Sequence, residues 1–327
     1  LSAASLLDST GGWIMASRRS GRRGAGGRGF LMMGGAVFLA GACLGGYFLM
    51  GSPNAATADA SIAGALPGPA GEQGAPGTAA PVVSISQIDR ALAEVQGSIA
   101  ASEGDAREKS LRDGYARLVS LLEGPLPVTE RERVIQAFHP VTDELFLSSV
   151  HNEFSVNYVA KSGDSYEKIA RGAGVSLNLL TDLNNLPRGA KNLQVGQNLK
   201  LPKAPPRIVV RKTEYCASVY FGNWMVRQYV VAHGKNNNTP VGKTTIKDMG
   251  IDPEKSARGP NDPVAEMKLR WIGLSKYNDR TGFGFHGTQY PESIPGQTSK
   301  GCIRMRDEDV VELYDIVRPG NEVEIRA

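Results

Sequence analysis

Residues 286–305 read HGTQYPESIPGQTSKGCIRM, and they hold one of the chain's four histidines, His286, and one of its three cysteines, Cys302. Two prolines, Pro291 and Pro295, lie between them, so the chain can fold His286 back onto Cys302. Three chemistries fit such a pair: a thiol nucleophile with an imidazole base, half of a metal site, or a turn holding a buried cysteine. The choice among them decides what the C-terminal domain is.

A thiolate attacks a carbonyl well, but it needs a base or positive field to form and oriented N–H groups to hold the oxyanion. Gly301 permits a tight backbone turn just before Cys302. The run DEDVVELYDIV at 307–317 is helical in pattern, with Asp307 as cap and Val310, Tyr314 and Val317 on one face. Its N-terminus close to Cys302 is expected to favour the thiolate. His286 has the pKa suited to general-base work at neutral pH. A structural metal site needs four clustered ligands, and no C-x-x-C or H-x-x-x-H spacing is present. Cys216 and His233 lie outside the stretch, and His233 reads as a packing or surface residue.

Outward from this stretch, 207–327 alternates apolar and polar residues in RIVVRK, ASVYFGN and MVRQYVVAHG, and it closes on NEVEIRA. That pattern predicts a mainly β domain with one helix after Cys302. Upstream, 157–203 predicts a small β-α-α-β module. A strand near Tyr158 is followed by a turn and cap at Gly163-Asp164-Ser165 and a first helix carrying Ile169 and Ala170. Ser176 caps a second helix with Leu179, Leu180 and Leu183, and a closing strand runs through Leu199 and Leu201. The proline-rich PKAPP at 202–206 joins this module to the β domain.

Further upstream, Ile85, Ile88, Leu92, Val95 and Ile99 are spaced 3, 4, 3, 4. This predicts a helical stalk over 85–124 with a stripe that could self-associate, interrupted by Gly97 and Gly104. Residues 125–156 read as a linker without an assigned role. Residues 51–84, rich in Gly, Ala and Pro, read as a flexible linker. Phe30–Met50 is 21 residues without a charge, about 31 Å as a helix and so matched to a bilayer core. Five arginines precede it, and no Lys or Arg follows before Arg90. This predicts a basic cytosolic tail at 1–29, a transmembrane anchor at 30–50 in the cytoplasmic membrane, and an extracytoplasmic remainder in periplasm or cell wall. A cleaved signal peptide ending near Ala56-Thr57-Ala58 is the competing reading. Met15 is a candidate start. The formal charge of +4 is too small and dispersed for a nucleic-acid binder.

Two family resemblances rest on motifs. YVAKSGDSYEKIA, GVSLNLLTDLN and LQVGQNLKLP together resemble a LysM domain. TPVGKT at 239–244, FGFHGT at 283–288 and SKGCIRMRDEDVVELYD at 299–315 resemble a YkuD-type L,D-transpeptidase catalytic domain. The first resemblance implies binding to peptidoglycan glycan through Gly163, Asp164, Ser165, Tyr166 and Asn184. The second implies Cys302 as nucleophile and His286 as base. It implies the Gly287 carbonyl as the orienter of the imidazole, and Gly301 and Cys302 N–H groups as the oxyanion hole. Arg304, Ser299, Lys300 and Trp271 are expected to contact the peptide stem. The family's usual His stands where this chain has Lys300. That Lys keeps positive charge beside the thiol without acting as a base. No metal or cofactor is implied. The function expected is a peptidoglycan L,D-transpeptidase, with a non-catalytic wall tether and an L,D-carboxypeptidase using water as alternatives.

Overall fold

A computed structural model describes residues 83–256, 263–277 and 279–327. The expected membrane span at 30–50, its basic tail and the linker at 51–82 lie outside the described residues. Among the described residues, no helix is long and apolar enough to cross a membrane.

Helix α1 (Ile85–Ala100) starts at a capping box, with Ser84 accepting from Gln87 N–H while the Gln87 side chain reaches back to the Ser84 backbone. A break at 101–103 turns the chain into α2 (Gly104–Glu123), and α3 (Val128–Thr142) follows. The region expected as a stalk and a linker is therefore a three-helix unit. The stripe of Ile88, Leu92 and Val95 is buried against α2 and α3 of the same chain. It is not free for a partner chain, which removes the basis for stalk self-association. Gly114 lets α2 approach α1, since a Cβ there would lie 3.0 Å from Val95 Cγ1.

The helical unit is fused to the C-terminal domain. Tyr115 packs against Phe138, Phe146 and Trp224, with ring centroids 5.3–6.1 Å apart. Arg131, fully buried, donates to Leu122 O at 2.7 Å, Gln228 Oε1 at 2.9 Å and Glu214 Oε2 at 2.6 Å. A charge so buried persists because these contacts replace most of its lost hydration, with only Nε left without a partner among the described residues.

The next module pairs β1 (Ser155–Val159) antiparallel with β2 (Asn198–Pro202) around α4 (Tyr166–Gly172) and α5 (Leu177–Asp182), the β-α-α-β order expected. Ser165 and Ser176 cap the two helices through Lys168 N–H and Leu179 N–H. Asp164 does not cap; its Oδ2 accepts from Tyr158 OH and Lys161 N–H, closing the preceding turn.

The C-terminal domain is built on one ten-stranded sheet ordered β10-β6-β11-β9-β8-β7-β12-β3-β4-β5. Its strands are β3 (Pro206–Arg211), β4 (Cys216–Phe221), β5 (Trp224–Val230), β6 (Ala232–Gly234), β7 (Gly242–Ile251), β8 (Met267–Leu274), β9 (Gly284–Thr288), β10 (Gly296–Ser299), β11 (Ile303–Arg304) and β12 (Glu322–Arg326). Helix α6 (Asp307–Ile316) packs on β8 and β9. Its buried face is Val310, Leu313 and Ile316. Tyr314, half-buried, packs against the same core as expected, and the Arg270 guanidinium lies 5.2 Å from its ring. Asp307 is not the cap residue either: the N-cap is Arg306, and Asp307 Oδ1 accepts from Thr288 N–H at 3.1 Å.

PKAPP is a tight join. Pro202 ends β2 and Pro206 begins β3, while Pro205 lies against Gly174. Asn178 Nδ2 donates to Asp315 Oδ1 at 2.7 Å, Ser176 Oγ donates to the Asp315 carbonyl, and Asn321 Nδ2 donates to Gly174 O at 2.8 Å. The small module is docked on α6.

Candidate active site

Cys302 and His286 are brought together by one strand pairing. β11 runs parallel to β9 with Ile303 opposite Phe285 and Arg304 opposite His286, sealed by Met305 N–H to His286 O at 2.9 Å. Cys302, one step before β11, stands at the start of β9. Its thiol donates to Gly282 O at 3.6 Å and faces the Gly284 backbone N–H.

His286 is buried. Its Nδ1 lies 2.6 Å from Gly287 O. The carbonyl can only accept, so Nδ1 carries the proton and Nε2 presents a lone pair. Trp271, opposite His286 in the β8–β9 register, stacks on the imidazole at 6.3 Å and 29°. Its indole donates to Asp248 Oδ1 at 2.9 Å. Gly287 has no room for a side chain, because a Cβ would collide with Asp307 Oδ1 and would lie 2.6 Å from Lys268 O.

The electrostatics differ from expectation. Burial pushes the Cys302 thiol up, while the Gly284 N–H and the Arg304 charge pull it back. Burial pushes His286 down to about 4, opposed by its Gly287 bond. The resting pair is a neutral thiol beside a neutral imidazole, not a standing thiolate. Helix α6 gives no direct help, since it begins only at Asp307. The positive charge acting on the thiol is that of Arg304, not Lys300. Lys300 is exposed. Arg304 is held by Glu266 at 2.6 Å and so braces the site through an ion pair.

The turn before Cys302 is wired by side chains. Ser299 Oγ accepts from Gly301 N–H at 3.1 Å and donates to Cys302 O at 2.6 Å. The Gly301 N–H, expected in the oxyanion hole, is thereby occupied. The Cys302 N–H has no hydrogen-bond partner among the described residues. Gly301 itself has φ +146°, and a Cβ there would collide with Phe283 Cε1. Asn238 and Thr239, whose motif carried no assigned role, also bond this turn. Their part could have been sought in the polar step from Asn238 to Thr239, the first residue of TPVGKT.

His233 is a packing residue, buried and stacked on Tyr215 at 5.3 Å. Cys216 is buried in β4 with its thiol pushed up by burial. A neutral thiol beside a base with a free lone pair and an open N–H donor suits nucleophilic attack on a carbonyl.

In the β-α-α-β module, four of the five expected glycan contacts are engaged within the fold, Asp164 and Ser165 through the turn and cap bonds described above. Tyr166 is buried. Asn184 donates to Leu180 O at 2.8 Å and Lys200 O at 3.0 Å, and accepts from Lys200 N–H at 2.7 Å, pinning α5 to β2. Gly163 remains exposed in a left-handed turn at φ +84°, and Ser165 is half-buried.

Residues 205–325 match the family model of the L,D-transpeptidase catalytic domain, and residues 158–202 match that of the LysM domain. Among curated proteins, YkuD of Bacillus subtilis (strain 168), which carries an L,D-transpeptidase name, is 32% identical over 177 residues, covering 52% of this chain and 98% of that protein. YcfS of Escherichia coli (strain K12), similarly named, is 28% identical over 207 residues, covering 53% of this chain and 62% of that one. A solved L,D-transpeptidase from Mycobacterium smegmatis is 20% identical with a TM-score of 0.30, covering 43% of this chain and 69% of that chain.

Proposed function

The chain belongs to the L,D-transpeptidase family, with a LysM domain ahead of its catalytic domain, and from that premise we propose that it is a peptidoglycan acyltransferase working through a Cys302 thioester. The observation that carries this reading is the β9–β11 pairing, which sets Cys302 beside a strand whose His286 keeps its Nε2 lone pair free. The Cys302 proton passes to His286 Nε2 as sulfur attacks the carbonyl joining the third stem residue to D-Ala. The tetrahedral oxyanion is held by the Cys302 N–H. The imidazolium then gives its proton to the departing D-Ala amine, leaving a thioester. An amine of a second stem or of a wall-attached protein attacks that thioester, loses its proton through His286, and releases the thiol. Water in the amine's place would give a carboxypeptidase.

The pairing of neutral thiol and depressed imidazole means that charge separation is completed only with substrate in place. Trp271 keeps the imidazole plane fixed, and the Arg304 charge favours negative charge on sulfur while Glu266 offsets its effect on the imidazolium. Gly163, Asp164 and Ser165 are the remaining candidates for glycan contact, with Tyr166 and Asn184 acting through the module's own fold. The apolar run at 30–50 and its flanking arginines support placement of this machinery outside the cytoplasmic membrane.

Intact-mass measurement of the chain after mixing with tetrapeptide muropeptides tests the reading. Release of D-Ala with a matching mass increase on Cys302, absent in Cys302→Ser, is expected. No adduct, with binding to peptidoglycan retained, would leave the non-catalytic tether instead.

A further inference from the structure

The Asn238-Thr239 step forms one wall of the nucleophile's turn. Three successive carbonyls in that turn are each held by a side chain. Lys300 O accepts from Asn238 Nδ2, Gly301 O accepts from Thr239 Oγ1 at 2.7 Å, and Cys302 O accepts from Ser299 Oγ at 2.6 Å. Thr239 is buried, and its hydroxyl also accepts from Gly234 N–H at 2.8 Å, so its single proton is committed to Gly301 O. Asn238 is fixed in turn by Arg280, which donates to Asn238 Oδ1 at 2.6 Å and Asn238 O at 3.1 Å while covering the Phe283 ring.

A trans peptide points its C=O and N–H in opposite directions. Pulling Gly301 O toward Thr239 therefore turns the Cys302 N–H away from that wall. This is the one N–H of the turn's 301–302 pair that is left open, because Ser299 takes the other. Gly301 at φ +146° is a conformation that L residues rarely adopt, and it needs holding from both sides. We infer that Asn238 and Thr239 are positioning residues for the acyl transfer: they lock the 300–302 backbone so that the Cys302 N–H is aimed at the developing oxyanion. The inference rests on the acyl-transfer reading of Cys302.

Two rates on the full-length chain separate aim from mere folding. Iodoacetamide alkylates the thiol by displacing iodide and needs no oxyanion donor, whereas acylation by a tetrapeptide muropeptide does. Thr239→Val keeps the shape and loses the hydroxyl. Its acylation rate, followed by intact mass, is expected to fall about 100-fold, the scale of losing one oxyanion donor, with alkylation close to wild type. Thr239→Ser is expected to restore acylation. Asn238→Asp keeps an oxygen for Arg280 but cannot donate to Lys300 O, and it is expected to lose about tenfold in acylation alone. It also carries the test should Thr239→Val not fold. Wild-type acylation in both variants, or acylation and alkylation falling together, would overturn the inference while leaving the Cys302 reading in place. A wild type that forms no adduct overturns both.

Discussion

Acidification is the perturbation that probes His286 most directly. Burial lowers its pKa from 6.5 to about 4, so at pH 5.5 about 97% of the imidazole is neutral, against about 9% for an unperturbed histidine. Acylation of Cys302 measured from pH 4 to 7 is therefore expected to keep nearly its full rate at pH 5.5 and to fall only as pH approaches 4. The same burial has a stability signature. The folded pKa is depressed, so between pH 6.5 and about 4 the unfolded chain binds a proton that the native chain refuses. Stability then falls as pH drops through that window. At pH 4.5 the loss attributable to this one group is about 2.5 kcal/mol. Urea unfolding of wild type and His286→Gln at pH 7 and pH 4.5 isolates it, because other titrating groups are common to both proteins. Wild type should lose about 2.5 kcal/mol more than the variant. An acid limb centred near 6.5, or equal losses in the two proteins, would refute the argument that burial sets the state of His286.

Because Arg304 supplies the charge on the thiol, Arg304→Gln is expected to raise the midpoint of iodoacetamide alkylation against pH by roughly one pH unit. Lys300→Ala should leave that midpoint in place, and a shift there instead would reverse the assignment. Asp309, pushed up to about 7 mainly by burial, is protonated in the fold over a range where the unfolded chain is ionised. Its stability contribution is present below pH 4 and lost as pH rises toward 7. Asp309→Asn should thus gain on wild type between pH 4 and 8, with an upper bound of about 4 kcal/mol, readable from urea midpoints; a gap independent of pH would exclude it. Deleting 158–202 strips Asp315 and Asn321 of partners and should lower the melting temperature of the remaining chain by roughly 5 °C or more. An unchanged melting curve would mean that the docking carries no stability.

The sequence exposed the C-terminal domain well because its signals are local. Alternation in 208–230 marks β3 to β5, and caps at Ser165 and Ser176 mark both module helices. The three-helix unit was harder. Val134, Phe138 and Val141 do form a helical stripe, but Pro140 lies inside it and a fully buried Arg131 lies one turn before it, so the segment lacks the clean two-sided pattern of a surface helix. Within the site, His286, Cys302 and the Gly287 carbonyl could be read from one 20-residue stretch. What could not be read were the pairings closed in space: Arg304 with Glu266, Gly301 N–H with Ser299, and Asn184 with Lys200. The state of the thiol was misjudged for the same reason, since burial is a property of the assembled fold.

The anchoring of the small module on Asp315 bears on how, under the proposed function, the protein would survey its polymer. Two modules on a slack tether gain from an effective concentration set by tether length, and each searches a sphere around the other. Here α6 connects them in a few bonds: one end lies just beyond the Cys302 turn, and the other holds Asn178 and Ser176. On the proposed function, a glycan strand held by the small module would set both how far away and on which side a stem must hang to meet the thiol, so the arrangement would work as a calliper rather than a leash.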